Sequence, residues 1–408
     1  MKILGIETSC DETAVCLIEA DGAFDASFQY NVLGNALLSQ IAVHAPYGGV
    51  FPNLAKREHS RNLVPLLKAV LEQSFGNHKS QETNSKQTPS DKIQNIKTIL
   101  EREPELFEQL VDFLKTCKKP EVDAIAVTRG PGLEPALWVG VNFARALSSV
   151  WNIPIVPVNH LEGHIAMAAM DMNGSVDYSN VLKNIGITGW LRSFEFPAIS
   201  LLISGGHTEL NLVEEWPHFK TIGETRDDAV GEAFDKVARM MGLPYPGGPE
   251  ISRLAAEARQ AEIQSGEKLP RPMIHESNFD FSFSGLKTAV LRLIKNKTLT
   301  EGEKLALARE FEDAAADVLV SKTIRAVEEY GAQTVIVGGG VSANTHIKSE
   351  LKKALDKLGV ALLYPPSGFE TDNALMIALA GYFHALNKEF ADPAKLVANG
   401  NLRLGSAS

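Results

Sequence analysis

Two of the ten histidines, His160 and His164, stand four residues apart in Val158-Asn159-His160-Leu161-Glu162-Gly163-His164-Ile165-Ala166. Pro154 and Pro157 precede a predicted helix start, and residues at i and i+4 share one helix face. Both imidazoles can therefore face one cation, or they can simply share a face. The spacing is that of a zinc-hydrolase helix. H-E-x-x-H, however, needs its glutamate beside the first histidine, and here Asn159 and Leu161 flank His160, with Glu162 two away. Two imidazoles hold a transition metal poorly, so a third ligand, a carboxylate, must come from elsewhere. Asp372 is the best placed, between the loop Ser367–Thr371 and the apolar helix predicted from Asn373. A helix N-cap is its plain alternative, because Asp favours that position. His44, His59, His78, His218, His275, His346 and His384 have no partner at ligand spacing and are read as structural.

Other stretches could handle phosphate or protons. Ser204-Gly205-Gly206-His207-Thr208 follows the apolar strand Ala198–Ile203, and its glycines would let backbone N–H groups approach phosphate oxygens. A tight turn accounts for it equally. Gly338-Gly339-Gly340 ends a Val/Ile strand and opens a helix, as at a nucleotide site. It matches neither a P-loop nor G-x-G-x-x-G. Asn344 beyond it could touch a sugar or base edge, or cap the helix. Asp11 and Glu12, in the turn of the first hairpin, are either surface acids or proton carriers beside a reaction centre. Asp235 lies on a partly apolar helix, where a solvated face is the simpler reading.

The elements that must position these groups read as α/β. Residues 2–20 and 198–213 each form strand, polar turn, strand, which suggests an internal duplication. Amphipathic spacing predicts a helix over Arg57–Leu71 and another over 97–117, with a polar, mobile insertion at 74–98 between them. Val122–Thr128 reads as a buried strand feeding the loop Arg129-Gly130-Pro131-Gly132 and a helix to Ser149. A second, irregular insertion is expected over 171–196, and Tyr245–Pro249 reads as a stiff loop. With 408 residues, 44% of them hydrophobic and 22% charged, the chain has ample core for two or three domains. A net charge of −10 argues against a protein that grips nucleic acid unaided. No apolar run approaches the roughly 18 residues of a membrane span. Three scattered cysteines suit a reducing compartment, and Met1–Glu7 does not read as a signal or transit peptide.

Taken together, these motifs resemble one family. Ile6–Thr13, Arg129–Leu133, His160–His164, Ser204–Thr208, Gly231–Lys236, Tyr245–Pro249, Phe281–Lys287 and Gly338–Asn344 occur in the order of the TsaD family, the tRNA N6-adenosine threonylcarbamoyltransferases, over about residues 2–382. The resemblance implies two duplicated lobes of the actin, Hsp70 and sugar-kinase (ASKHA) type around a central nucleotide cleft. The first lobe would be 1–160 with an insertion at about 74–118, completed by the helix at about 373–390. The second would be 161–372 with an insertion at about 171–195. It further implies transfer of the threonylcarbamoyl group of threonylcarbamoyl-AMP to N6 of adenine 37 in tRNAs reading A-starting codons.

As metal ligands it implies His160, His164 and Asp372, around one divalent ion: iron, with zinc or magnesium as alternatives. As substrate contacts it implies Leu202, Ile203, Ser204, Gly205, Gly206, Asp235, Gly248 and Asn344, and near the reaction centre Asp11 and Glu12. A paralogous TsaB-type partner, a TsaE-type ATPase and a bacterial cytoplasm go with it, and Arg57–Leu71 would be a partner surface. The chain departs from the pattern at Glu134-Pro135-Ala136 and at Ser252. A kinase of the same superfamily or a non-catalytic paralogue would lack the histidine pair.

Overall fold

Apolar runs become buried strands where helices cover both faces of a sheet, and the chain does this twice. The computed structural model describes residues 1–76, 90–174 and 186–405. Two units share them. The first takes Met1–Gln40, Val50–Ser193 and Pro366–Ser408, and the second takes Ile41–Gly49, with the one-turn helix α1 (Ile41–His44), and Phe194–Pro365. The division therefore falls at 193/194 and 365/366 rather than at 160/161 and 372/373. Residues 161–193 and Asp372 go with the first unit, because the chain returns to its sheet before leaving it.

In the first unit β1 (Lys2–Glu7), β2 (Glu12–Asp21) and β3 (Gln29–Ser39) form an antiparallel meander. β4 (Ala124–Gly130) and β5 (Ile155–Asn159) lie parallel on the other side of β1. β6 (Met170–Asn173) and β7 (Thr188–Leu191) extend the β3 edge, giving the order β5-β4-β1-β2-β3-β7-β6. The ends of the expected second insertion are thus paired strands, while 175–185 lies outside the described residues.

The helices of this unit are α2 (Pro52–Phe75), α3 (Ser90–Ile99), α4 (Pro104–Leu114), α5 (Glu134–Trp151) and α6 (His160–Ala168). The single helix expected at 97–117 is two, divided before Pro104, which occupies a first-turn position where its missing N–H costs nothing. Nor is 90–98 a mobile stretch: Ile96 of α3 and Leu106, Leu110 and Leu114 of α4 are buried in the unit's core beside Leu63, Leu67 and Leu147. The rest of the first insertion, 77–89 with His78, lies outside the described residues.

The second unit repeats the plan. β8 (Ala198–Ile203), β9 (Thr208–Glu215) and β10 (His218–Glu224) are antiparallel. β11 (Thr334–Gly338) and β12 (Ala361–Leu363) lie parallel beside β8, in the order β10-β9-β8-β11-β12. The strand order and directions are those of β3-β2-β1-β4-β5, so the duplication expected from the two hairpins extends to all five strands. Helices α7 (Val230–Met240), α8 (Gly247–Gln260), α9 (Ser284–Ile294), α10 (Glu301–Tyr330) and α11 (Thr345–Asp356) complete it. α8 takes Gly247–Pro249 out of the loop expected there. α10 opens on a capping box, Thr300 with Glu303, and closes on Gly331 in the left-handed region.

The last helix, α12 (Ala374–Leu386), returns to the first unit with every residue from Ala374 to Phe383 buried. It lies so close over β1 that a Cβ on Gly5 would stand 2.4 Å from the Ala374 carbonyl oxygen and 2.9 Å from Ala378 Cβ. No helix among the described residues is long and apolar enough to cross a membrane. Replacing Gly5 by Ala should push α12 off the sheet and cost about 1–3 kcal/mol, read as a lower urea midpoint. An unchanged midpoint would show that the contact is not constraining.

Candidate functional site

The hairpin turn between β1 and β2 is held from three sides. The Leu133 N–H donates to the Ser9 carbonyl (2.7 Å) and the Gln40 N–H to the Asp11 carbonyl (2.8 Å). His59 lies 3.0 Å from the Cys10 carbonyl through Nε2 and 2.8 Å from Thr13 Oγ1 through Nδ1. Gly132 has φ +152°, and a Cβ there would meet the Ser9 carbonyl oxygen at 2.6 Å, so this position of the Arg129–Leu133 motif needs glycine. The departure at Glu134-Pro135 forms the first turn of α5 and leaves these contacts in place.

α6 begins at His160, capped by the Asn159 side chain, which accepts from the Leu161 N–H at 2.9 Å. That geometry puts His160 and His164 on one face, with ring centroids 4.7 Å apart. Both Nε2 atoms point to Asp372 Oδ1, His160 at 3.3 Å and His164 at 3.1 Å. The N-cap of α12 is Asn373, whose side chain accepts from the Met376 N–H. The plain reading of Asp372 as a cap is thereby displaced by one residue, and its carboxylate is left facing the imidazoles.

A buried glutamate that sequence reasoning does not single out completes the arrangement. Glu7, fully buried at the end of β1, has Oε2 3.0 Å from His160 Nδ1 and accepts from Thr128 Oγ1 (2.7 Å). The Ser9 N–H donates to its other oxygen at 2.5 Å. The one available signal is an acid closing the apolar run Ile3-Leu4-Gly5-Ile6, where a strand end offers an ordinary solvated explanation.

The charges are tightly coupled. Burial would pull the His160 pKa down, but Asp372 and Glu7 outweigh it and hold it well above the usual imidazole value. Burial lowers that of His164, and the neighbouring His160 lowers it further. Burial would lift Asp372, yet the two rings keep it well below the usual carboxylate range. The three donor atoms lie within 4.8 Å of one another. Nitrogen and oxygen ligands held about 2.0–2.2 Å from one ion stand roughly 3–3.5 Å apart, which matches both His–Asp distances. With Nδ1 of His160 facing Glu7, a neutral ring presents its Nε2 lone pair to a carboxylate oxygen, and only a proton or a cation makes that contact favourable. The donor set fits a divalent ion.

Asp11 and Glu12 are buried in the same unit. Burial, then the Asp11 and Asp372 carboxylates, pushes Glu12 well above the usual carboxyl value, with Ser39 Oγ partly offsetting. Glu162, the acid displaced from the protease position, lies 2.7 Å from His384 Nε2.

The expected substrate contacts gather at the carboxyl ends of β8 and β11 in the second unit. The side chains of Leu202 and Ile203 are buried, so their main chain is what they can offer. Gly205 and Gly206 are exposed. Ser204 Oγ accepts from the N–H groups of Gly206 (3.3 Å) and His207 (3.0 Å), which sets the turn. Gly339, with φ +89°, passes so near β8 that a Cβ would stand 2.5 Å from the Ile203 carbonyl oxygen. Asp235 Oδ1 accepts from the N–H groups of Gly247 (2.7 Å) and Gly248 (3.3 Å), anchoring the start of α8. The Asn344 side chain caps α11 through Ile347 N–H, and its amide donates to Ser252 Oγ (2.8 Å) and Glu312 Oε1 (2.7 Å). Ser252, where the chain departs from the family pattern, is thus its partner.

The sequence pattern of TsaD, tRNA N6-adenosine threonylcarbamoyltransferase, matches residues 31–80 and 100–379. The chain is 39% identical over 401 residues to the tRNA N6-adenosine threonylcarbamoyltransferase of Ralstonia pickettii (strain 12J), covering 97% of this chain and 94% of that one. It is 38% identical over 385 residues to that of Persephonella marina (strain DSM 14350 / EX-H1), covering 94% and 90%. This chain belongs to the tRNA N6-adenosine threonylcarbamoyltransferase family. Among solved structures it is similar to full-length HypF in the phosphate- and nucleotide-bound form, at 12% identity and a TM-score of 0.47, over 95% of this chain and 55% of that one. The family match skips the stretch that holds α3, so that helix is an addition to the family pattern.

Within this family member, Glu7 sets the ring that faces Asp372. If His160 is a ligand, Glu7→Gln should lower affinity for a divalent ion about 10–100-fold, as loss of a carboxylate behind a ligand histidine does, read by competition with a chromophoric chelator. Wild-type affinity would reduce Glu7 to a packing role.

Proposed function

We propose that this chain catalyses the reaction its family is named for, transferring threonylcarbamoyl from threonylcarbamoyl-AMP to N6 of adenine 37 in tRNAs that read A-starting codons. The observation that carries the mechanistic reading is the convergence of His160, His164 and Asp372 with Glu7 behind them. In the transfer, the N6 lone pair attacks the carbamoyl carbon. The bond from that carbon to the phosphate oxygen breaks, AMP leaves with the electron pair, and N6 gives up a proton. AMP is a good leaving group, so the protein's task is mainly orientation and charge.

His160, His164 and Asp372 would hold one divalent ion. Two imidazoles and a carboxylate suit iron(II) or zinc better than magnesium, which prefers oxygen ligands, and iron is the ion proposed. When bound, such an ion supplies a Lewis acid for carbonyl or phosphoryl oxygens. The exposed turn at Gly205 and Gly206 is proposed to bind the donor, chiefly through Gly205 because the Gly206 N–H is already given to Ser204 Oγ, with the main chain at Leu202–Ser204 and the start of α8 at Gly248. Asn344 is proposed to act by fixing that wall, because both its amide hydrogens are already engaged. Glu12 or Asp11 is proposed to take the N6 proton: a carboxyl held above its usual range, as Glu12 is, accepts a proton at neutral pH more readily.

The net charge of −10 supports sharing of tRNA between this chain and partners, a TsaB-type paralogue and a TsaE-type ATPase, with α2 as the contact surface. The cytoplasm is the proposed setting.

Labelled threonylcarbamoyl transfer to tRNA, with the partners present, tests this reading. Wild type should transfer and His160→Ala should not; equal rates would make the histidines structural. Asp11→Ala and Glu12→Gln should retain donor binding while the identified base loses about 10²–10⁴-fold in rate. Wild-type rates in both would remove these acids from the mechanism.

A further inference from the structure

We infer that His384 is a positioning residue for the metal centre, locking the rotation of α6 against α12 through its pairing with Glu162. The inference rests on reading His160, His164 and Asp372 as metal ligands.

α6 carries two of those residues, and Asp372 immediately precedes the cap of α12. The two helices meet at Gly163, where a Cβ would stand 3.0 Å from Ile377 Cδ1 and 3.2 Å from Met376 Cγ. A glycine allows close approach but offers no side chain to stop a helix from turning about its axis. Glu162 offers one. At about 100° per residue it projects roughly opposite the midpoint of His160 and His164, so it is directed away from their shared face. Its Oε1 lies 2.7 Å from His384 Nε2, in the last turn of α12. On its other side the ring meets Glu389 Oε2 at 2.5 Å through Nδ1.

With a carboxylate against each nitrogen, the ring carries both protons. Burial would lower its pKa, but Glu162 and Glu389 together push it up to about 9. The Glu162 side chain is only 7% exposed, so removing its cation would leave a buried charge uncompensated.

The leverage is geometric. Side-chain tips stand about 5–6 Å from a helix axis, so a turn of α6 by about 10° moves each imidazole nitrogen by about 1 Å. Binding constellations tolerate only about 0.5 Å. His384 touches neither the ion nor the substrate in this reading, and it acts through the aim of two ligands.

The test uses the full-length protein, with Co2+ as a coloured probe. His384→Ala should weaken Co2+ binding about 10–100-fold, the usual cost of losing support behind a ligand, and should shift the visible absorption band of the bound ion. His384→Gln, which keeps one N–H for Glu162, should restore part of both. Glu389→Ala, which leaves the Glu162 pair intact, should keep the wild-type band. A wild-type band and affinity in His384→Ala would overturn the proposal while leaving the metal site standing. Failure of the wild type itself to take up Co2+ would instead overturn the metal reading, and the proposal with it. If His384→Ala does not fold, as judged by circular dichroism, His384→Gln decides alone: a shifted band with weakened binding supports the clamp, and wild-type values overturn it.

Discussion

One imidazole placed between two carboxylates, Glu7 fully buried and Asp372 partly so, sets the terms for the first unit. Glu7 and Asp372 both face His160, one at each ring nitrogen. Glu7 is not tolerable in the interior without a compensating charge, because desolvation of an unpaired carboxylate costs several kcal/mol, and the partly buried Asp372 bears part of the same cost. The strand that carries Glu7, the helix that carries His160 and the loop that carries Asp372 must therefore keep their relative positions closely. α12 is what permits this. It is apolar along nearly its whole length, closes on β1 at Gly5, and packs Met376 and Ile377 directly onto α6 at Gly163. Small residues at these contacts bring the backbones near enough for short polar side chains to meet.

The place of the site follows from the sheet. β1, β4 and β5 are adjacent and parallel, so their carboxyl ends share one edge. Glu7, Thr128 and His160 come from those three ends, within one hydrogen-bonded cluster. In the second unit the same edge is formed by β8 and β11, and it carries the Ser204 turn and Gly339. Parallel strands gather their exits in this way, and open α/β sheets bind ligands there. The duplication thus supplies two edges of the same kind, of which one acquired imidazoles and carboxylates and the other glycine-rich turns.

Much of this is legible in the order of residues alone. The i, i+4 histidines need only a helix, and the paired hairpins announce the repeat. What stays hidden depends on distance in sequence or on neighbouring residues with equivalent propensities. Asp372 and Asn373 are both good caps, and no local rule says which one caps; the structure gives the cap to Asn373. Glu7 cannot be told from a polar strand end, because its partners His160 and Thr128 lie far along the chain. Residues 90–98 read as mobile because only Ile93 and Ile96 are apolar among polar neighbours. A spacing of three suffices for a helix once a core is there to receive Ile96. The boundary at 160/161 misplaces the return of β6 and β7 because the pairing that ties them to the sheet, β7 on β3, spans more than a hundred residues.

Asp235 and Asn344 show why the bland and the functional readings of a polar residue need not compete. Each engages its side chain with a helix start or a neighbouring side chain: Asp235 with the amides of Gly247 and Gly248, Asn344 with Ile347, Ser252 and Glu312. Read alone, these are structural bonds. Yet a glycine-rich turn presents amides to a ligand only if its ends are immobile, and glycine itself supplies no rigidity. The capping bonds provide it, holding α8 and α11 while Ser204 Oγ sets the turn beside them. Asp372 marks the opposite solution. There the cap falls to the next residue, and the carboxylate faces two imidazoles instead.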